Sequence, residues 1–180
     1  MDRNNLLTLL KTYKTREASE ESFNEPFIEL LSHRDAFQRT HLPGHITGSA
    51  WIVDRTGKFV LLTHHAKLNR WLQPGGHADG DENVRRVALR EALEETGLTS
   101  SRLVQDGIFD LDIHLIPGRK EFPEHLHYDI RFLLQADLQS KLIVTGESHA
   151  LSWVPLQTLA EITDNNESML RMGRKTEQLF

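Results

Sequence analysis

The sequence predicts an α/β fold built on a mixed β-sheet, with a helical N-terminal extension. From His45 onward, runs rich in β-branched and aromatic residues are interleaved with helix-period segments, at uneven spacing and with hairpins among them. That pattern argues for a mixed sheet rather than an all-parallel one. Ahead of His45 the apolar residues fall at helical spacing.

The chain has 180 residues, 38% apolar and 26% charged, enough for one sizeable core. There is no repeat, low-complexity tract or linker to divide it. The expected organisation is a helical extension over 1–40 packed on the core, followed by a single domain over 41–180. A net charge of −5 supplies no general basic footprint, so a nucleic-acid partner is not expected. The absence of cysteine excludes disulfides, zinc–thiolate sites and thiol catalysis together. No apolar run reaches the length of a membrane span and no signal peptide is visible, so a cytoplasmic protein is expected.

Taken in order, residues 4–15 set Leu6, Leu9, Leu10 and Tyr13 on one side of an amphipathic helix. A second helix carries Phe23, Phe27, Ile28, Leu30 and Leu31, with Pro26 suited to its first turn. A short third helical piece is predicted from Asp35 to Thr40. This arm either covers the core edge, forms a homodimer contact, or shapes substrate specificity. His45–Val53 and Phe59–His65 read as strands joined through Asp54-Arg55-Thr56-Gly57-Lys58, a hairpin. Pro74 favours an extended approach to a Gly75-Gly76 loop. After the helix that follows come strands at Leu103–Pro117, alternating apolar and polar from Phe109 to Leu115, and at His125–Gln135, Lys141–Thr145 and Ala150–Val154. In the second of these the even positions carry Leu126, Tyr128, Ile130 and Phe132 into the core, leaving His125, His127, Asp129 and Arg131 as a polar row on the opposite side. Helices over Pro155–Ile162 and Glu167–Leu179 close the chain.

The chemistry concentrates between Gly75 and Leu98. A run without Pro or Gly from Glu82 to Thr96 reads as a helix, with Asp81 placed to cap its first amides and Gly97 to take the left-handed position after its end, Leu98 completing a Schellman motif. At about 100° per residue, Glu91, Glu94 and Glu95 share a face within one turn. They repel one another and stand near the helix C-terminus, where the macrodipole disfavours anions. A divalent cation reverses both penalties, and carboxylate oxygens suit a hard ion such as Mg²⁺ or Mn²⁺. Gly75 and Gly76 allow the backbone to come close to such an ion or to a phosphate.

At these residues the chain resembles the Nudix hydrolases, whose signature is G-x5-E-x7-R-E-U-x-E-E-x-G-U with U apolar. Gly76, Glu82, Arg90, Glu91, Ala92, Glu94, Glu95, Gly97 and Leu98 fill it in register, Ala92 being smaller than the usual residue there. The resemblance implies a Nudix-type α/β/α sandwich and a metal-dependent hydrolase that cleaves a diphosphate linkage in a nucleoside diphosphate derivative. It implies Glu91 and Glu95 as main metal ligands, Glu94 as third ligand or base, and Glu82 as a further direct or water-mediated ligand, with the backbone at Gly75 close by. Arg90 is expected to pair with a box carboxylate and fix its rotamer. Glu147 resembles a loop glutamate that serves some members as general base.

His77 is expected at the site mouth, and His127 and Arg131 are candidates for phosphate or base recognition. His125 and His127, facing the same way and converging with Asp129, are weighed also as ligands of a second metal, as is the pair His64 and His65. Trp51 and Trp71 either stack a nucleobase or fill the core. The alternative to an enzyme is a nucleotide-sensing module that keeps the fold without turnover. The isopentenyl diphosphate isomerase branch is excluded because its chemistry needs a cysteine. Substrate candidates are nucleoside triphosphates, ADP-ribose, nucleotide sugars and dinucleoside polyphosphates.

Overall fold

A computed structural model describes residues 1–119 and 122–180. The elements run α1 (Arg3–Thr12), α2 (Asn24–Leu30), β1 (Gly44–Val53), β2 (Phe59–His65), β3 (Arg70–Leu72), β4 (Gly75–His77), α3 (Val84–Thr96), β5 (Arg102–Leu103), β6 (Asp110–Ile116), β7 (His125–Gln135), β8 (Ser148–Pro155), a 3₁₀ turn over Leu156–Thr158, α4 (Leu159–Ile162) and α5 (Glu167–Glu177). Helices and strands alternate as an α/β fold with a mixed sheet, and helices occupy the N-terminal arm. The described residues resolve into two compact units. The first comprises Met1–Ser49, Gly75–Ala88 and Gly107–Phe132, and the second Ala50–Pro74, Leu89–Asp106 and Leu133–Phe180.

In the first unit, α1 is fixed by a reciprocal cap: Asp2 accepts from the Asn5 amide at 2.8 Å and the Asn5 side chain accepts from the Asp2 amide at 3.2 Å. Leu6 and Leu10 are its fully buried residues, joined in the core by Phe27 and Leu30 of α2. The arm is tied down by polar contacts as well. Glu20, wholly buried, accepts from the Tyr13 hydroxyl, from Thr15 Oγ1 at 2.6 Å and from the Leu111 amide at 2.6 Å. Asp35–Thr40, predicted to be helical, forms turns instead. Two of its carbonyls are taken from outside: Ala36 accepts from the Ile46 amide at 2.8 Å and Phe37 from the Gly80 amide at 2.9 Å.

The segment expected to be a glycine loop is strand β4, antiparallel to β1 with Gly75 opposite Ser49 and His77 opposite Thr47. A Cβ on Gly75 would stand 2.0 Å from Ser49 Oγ, so glycine is required there by strand packing. Both faces of β7 are covered, and Asp129, Ile130, Arg131 and Phe132 are all buried. Of the expected polar row, His125, Asp129 and Arg131 are buried and His127 is half-buried.

In the second unit, the hairpin between β1 and β2 turns on Asp54, whose carboxylate accepts from the amides of Thr56 (2.9 Å), Lys58 (2.8 Å) and Phe59 (2.9 Å) and from the Thr56 hydroxyl (2.6 Å). Burial works to raise its pKa, and these hydrogen bonds outweigh that and hold it below the usual carboxylate value. β2 pairs antiparallel with β3 and, along its whole length, with β8. Trp51 is fully buried and donates to Thr176 Oγ1 of α5 at 2.9 Å, which gives it the core role.

Lys141–Thr145 is not a strand; the Ile143 amide bonds the Thr96 carbonyl at 2.9 Å and so covers the end of α3. That end follows the single-bond left-handed motif rather than the Schellman pattern. Gly97, at φ +72°, donates to the Leu93 carbonyl at 2.8 Å, while the Leu98 amide turns to Thr96 Oγ1 at 3.2 Å. A Cβ at Gly97 would lie 2.8 Å from Ile143 Cβ. Gly97→Ala is therefore expected to lower stability by at least about 1–2 kcal/mol, read from the denaturant midpoint.

Candidate active site

At its N-terminus, α3 is capped two residues later than the sequence predicts, at Asn83 rather than Asp81. Asn83 Oδ1 accepts from the Arg86 amide at 3.1 Å, and Asp81 instead accepts from Asn83 at 2.8 Å and pairs with Arg86 Nε at 2.8 Å. Asp81 belongs to the turn that delivers the helix. Glu82, just ahead of the first helical residue, pairs with Arg3 Nε at 2.9 Å. Arg3 also donates to the carbonyls of Leu31, His33 and Arg34, so the arm holds this box glutamate.

In the second unit the glutamates divide by burial. Glu91 and Glu95, four apart, are buried, whereas the Glu94 side chain is 57% exposed. Glu94 lies within the same turn, and its side chain stands at the solvent-facing rim of that face. Arg90 bridges two of them, NH2 to Glu91 Oε1 at 2.8 Å and NH1 to Glu94 Oε2 at 2.9 Å. Burial pushes the Glu91 carboxyl above its ordinary pKa; Arg90 opposes that shift, and the charges of Glu94 and Glu147 add to it. Glu147 is exposed in the loop before β8, with its carbonyl accepting from the Ala66 amide at 2.9 Å. Glu91 and Glu95 offer carboxylate oxygens from one helix, a donor set that could hold a hard divalent ion.

In the first unit, Arg131 is not a ligand for phosphate. It is 3% exposed, and its guanidinium is spent on Asp129 (2.8 Å), Asp110 (3.0 Å) and Asp112 (3.2 Å). Asp129 also accepts from Thr47 and Ser49 hydroxyls at 2.9 and 2.8 Å, so it does not join the histidines. His125 and His127 converge instead with His77 and with His45, which the sequence reading did not single out as a functional residue. Register explains the grouping: His77 sits opposite Thr47, two residues from His45 on the same face of β1. His64, on β2, lies against Trp71 at 5.0 Å and His149 at 5.6 Å between ring centroids.

Burial, the largest cause, and then the positive charge of Arg39 push the His77 pKa down to about 4. Burial likewise lowers His45 and His127. A depressed imidazole binds fewer protons folded than unfolded, so stability rises with pH across that window. Thermal midpoints should fall as pH drops from 6.5 towards 4, and His77→Gln should fall less over the same range. An equal fall would refute the assignment.

A family model described as the NUDIX domain matches residues 43–174. The rat bis(5'-nucleosyl)-tetraphosphatase [asymmetrical] is 29% identical over 116 residues, covering 64% of this chain and 76% of that protein. The zebrafish m7GpppN-mRNA hydrolase NUDT17 is 37% identical over 82 residues, 41% of this chain and 27% of its own length. Among solved structures, a C. elegans Ap4A hydrolase binary complex superposes with TM-score 0.60 at 19% identity, covering 74% of this chain and 96% of that one, a likeness of fold. A NUDIX-family hydrolase from Clostridium perfringens superposes at TM-score 0.57 with 26% identity, over 76% and 98%. The fold and the acidic helix thus define a Nudix-type α/β/α hydrolase. The chain belongs to the NUDIX family and is a pyrophosphohydrolase of the kind that acts on nucleotide derivatives. Among the described residues no helix is long and apolar enough to cross a membrane.

Proposed function

We propose that this chain hydrolyses a diphosphate linkage in a nucleoside diphosphate derivative, with Mg²⁺ or Mn²⁺ held by Glu91 and Glu95. The observation that carries this is the burial of both carboxylates on one helix, with burial raising the Glu91 pKa against the opposing charge of Arg90. A bound divalent ion neutralises phosphate oxygens and lowers the pKa of the attacking water.

The chain's own groups then divide the work. Glu91 and Glu95 hold the ion; Glu94 serves as third ligand or base. Arg90, bonded to Glu91 and Glu94, fixes their rotamers. Glu147, close enough to Glu91 to shift its pKa, is the candidate general base from outside the box and would take the proton of the water. Signature register, rather than any contact, supports Glu82 and the Gly75 backbone as further ligands, and Glu82 would have to exchange Arg3 for this. His77 and His127 remain candidates for contact with the substrate. Residues 1–40 are taken as an extension packed on a domain of 41–180, available also for a homodimer contact, in a cytoplasmic enzyme.

Among substrates, a bis(5'-nucleosyl) tetraphosphate heads the panel because of the similarity to the rat tetraphosphatase. Nucleoside triphosphates, ADP-ribose and nucleotide sugars complete it. Each is incubated with Mg²⁺ and with chelator, and products are separated by chromatography. Metal-dependent cleavage between phosphates is expected for at least one; turnover unaffected by chelator would defeat the proposal.

A further inference from the structure

We infer that His45, His77, His125 and His127 form an all-imidazole site for Zn²⁺, separate in its donors from the carboxylates of α3. Each of the four offers one ring nitrogen, and these nitrogens lie within 4.8 Å of one another. The rings cluster face to face and edge to face, with centroids 4.9 Å apart for His45 and His125, 5.0 Å for His45 and His127, and 4.9 Å for His77 and His127. The side chains come from β1, β4 and β7, so strands rather than loops position them.

The tautomers are set by the backbone. His125 Nδ1 stands 2.9 Å from the Pro123 carbonyl and His45 Nδ1 3.3 Å from the His41 carbonyl. A carbonyl only accepts, so each Nδ1 carries the proton and each Nε2 presents its lone pair, the arrangement found in metal-ligating histidines. His45 is wholly buried, and among the described residues its Nε2 has no hydrogen-bond partner. Buried acceptors are rarely left so, and a cation satisfies this one.

His125 Nε2 and His127 Nε2 are 3.2 Å apart. Two ligands of tetrahedral zinc at 2.0–2.1 Å stand about 3.3 Å apart, so this pair already has the required spacing. The wider members need a modest rotation about χ2 to reach it. Burial keeps His45, His77 and His127 neutral at physiological pH, the ligating form. The nearby positive charge of Arg39 is compensated by its ion pair with Asp79. Four nitrogens without an oxygen select a borderline transition ion over Mg²⁺.

The test uses the whole chain, stripped with chelator and dialysed, then titrated with Zn²⁺ by calorimetry and with Co²⁺ by visible absorption. Wild type should bind one Zn²⁺ per chain, raise its thermal midpoint, and show tetrahedral Co²⁺ bands that a large excess of Mg²⁺ leaves intact. His77→Gln and His127→Gln, each checked for folding by circular dichroism, should weaken binding by at least about 100-fold. Of the two, His77→Gln replaces the less buried ring and so is the safer variant should His127→Gln not fold. Glu95→Gln should bind Zn²⁺ as wild type does, which separates this site from the proposed hydrolytic one. No Zn²⁺ uptake by wild type, displacement by Mg²⁺, or unchanged affinity in folded His77→Gln would overturn the inference.

Discussion

Glu95→Gln is expected to lower turnover of a cleaved nucleotide by about 100-fold or more while leaving the fold in place. A metal-held phosphoryl oxygen is worth several kcal/mol of charge stabilisation, and each 1.36 kcal/mol is a factor of ten in rate. Glu95 is 7% exposed on the same face as Glu91, so its amide replacement removes a charged ligand without changing volume. The expected signature is a large fall in kcat in a variant that remains folded by circular dichroism. Equal rates in the two proteins would remove Glu95 from the site.

The second large effect is on stability. Arg131→Met removes the guanidinium shared by three buried carboxylates, Asp110, Asp112 and Asp129, whose side chains are at most 10% exposed. Breaking one side of a buried ion network costs about 3–5 kcal/mol, a large share of the 5–15 kcal/mol that holds an ordinary domain together. Arg131→Lys should recover little, since a single ammonium cannot reach three acceptors in fork geometry. Urea denaturation reads both. A loss under about 1 kcal/mol for the methionine variant would mean that the aspartates are satisfied by other donors.

The surroundings of Arg131 are set by pairing between strands far apart in the chain. Alternation along His125–Gln135 correctly separates two faces, but it cannot say that the second face is also covered, nor that Asp110 and Asp112 of β6 lie opposite Arg131 and Asp129. Pairing between distant strands carries no local signal. The same holds for His45: its grouping with His77 depends on β1–β4 register, which the short strand Gly75–His77 hides behind its glycines. Local rules succeeded where the determinants are local. Gly97 ends α3 because only glycine tolerates the positive φ there, and the spacing of Arg90, Glu91, Glu94 and Glu95 is a property of one helix. They failed at Asp35–Thr40 and Lys141–Thr145, where backbone groups bond to distant partners instead of completing a helix or ladder.

Whether Glu91 and Glu95 hold a hard divalent ion is read by Mn²⁺ titration followed through the paramagnetic signal of the free ion. Oxygen ligands suit Mn²⁺, so the histidine cluster does not compete for it. Wild type should bind Mn²⁺, Mg²⁺ should displace it, and the folded pair variant Glu91→Gln with Glu95→Gln should lose at least about 100-fold in affinity. Binding as tight in the pair variant as in wild type would contradict the account.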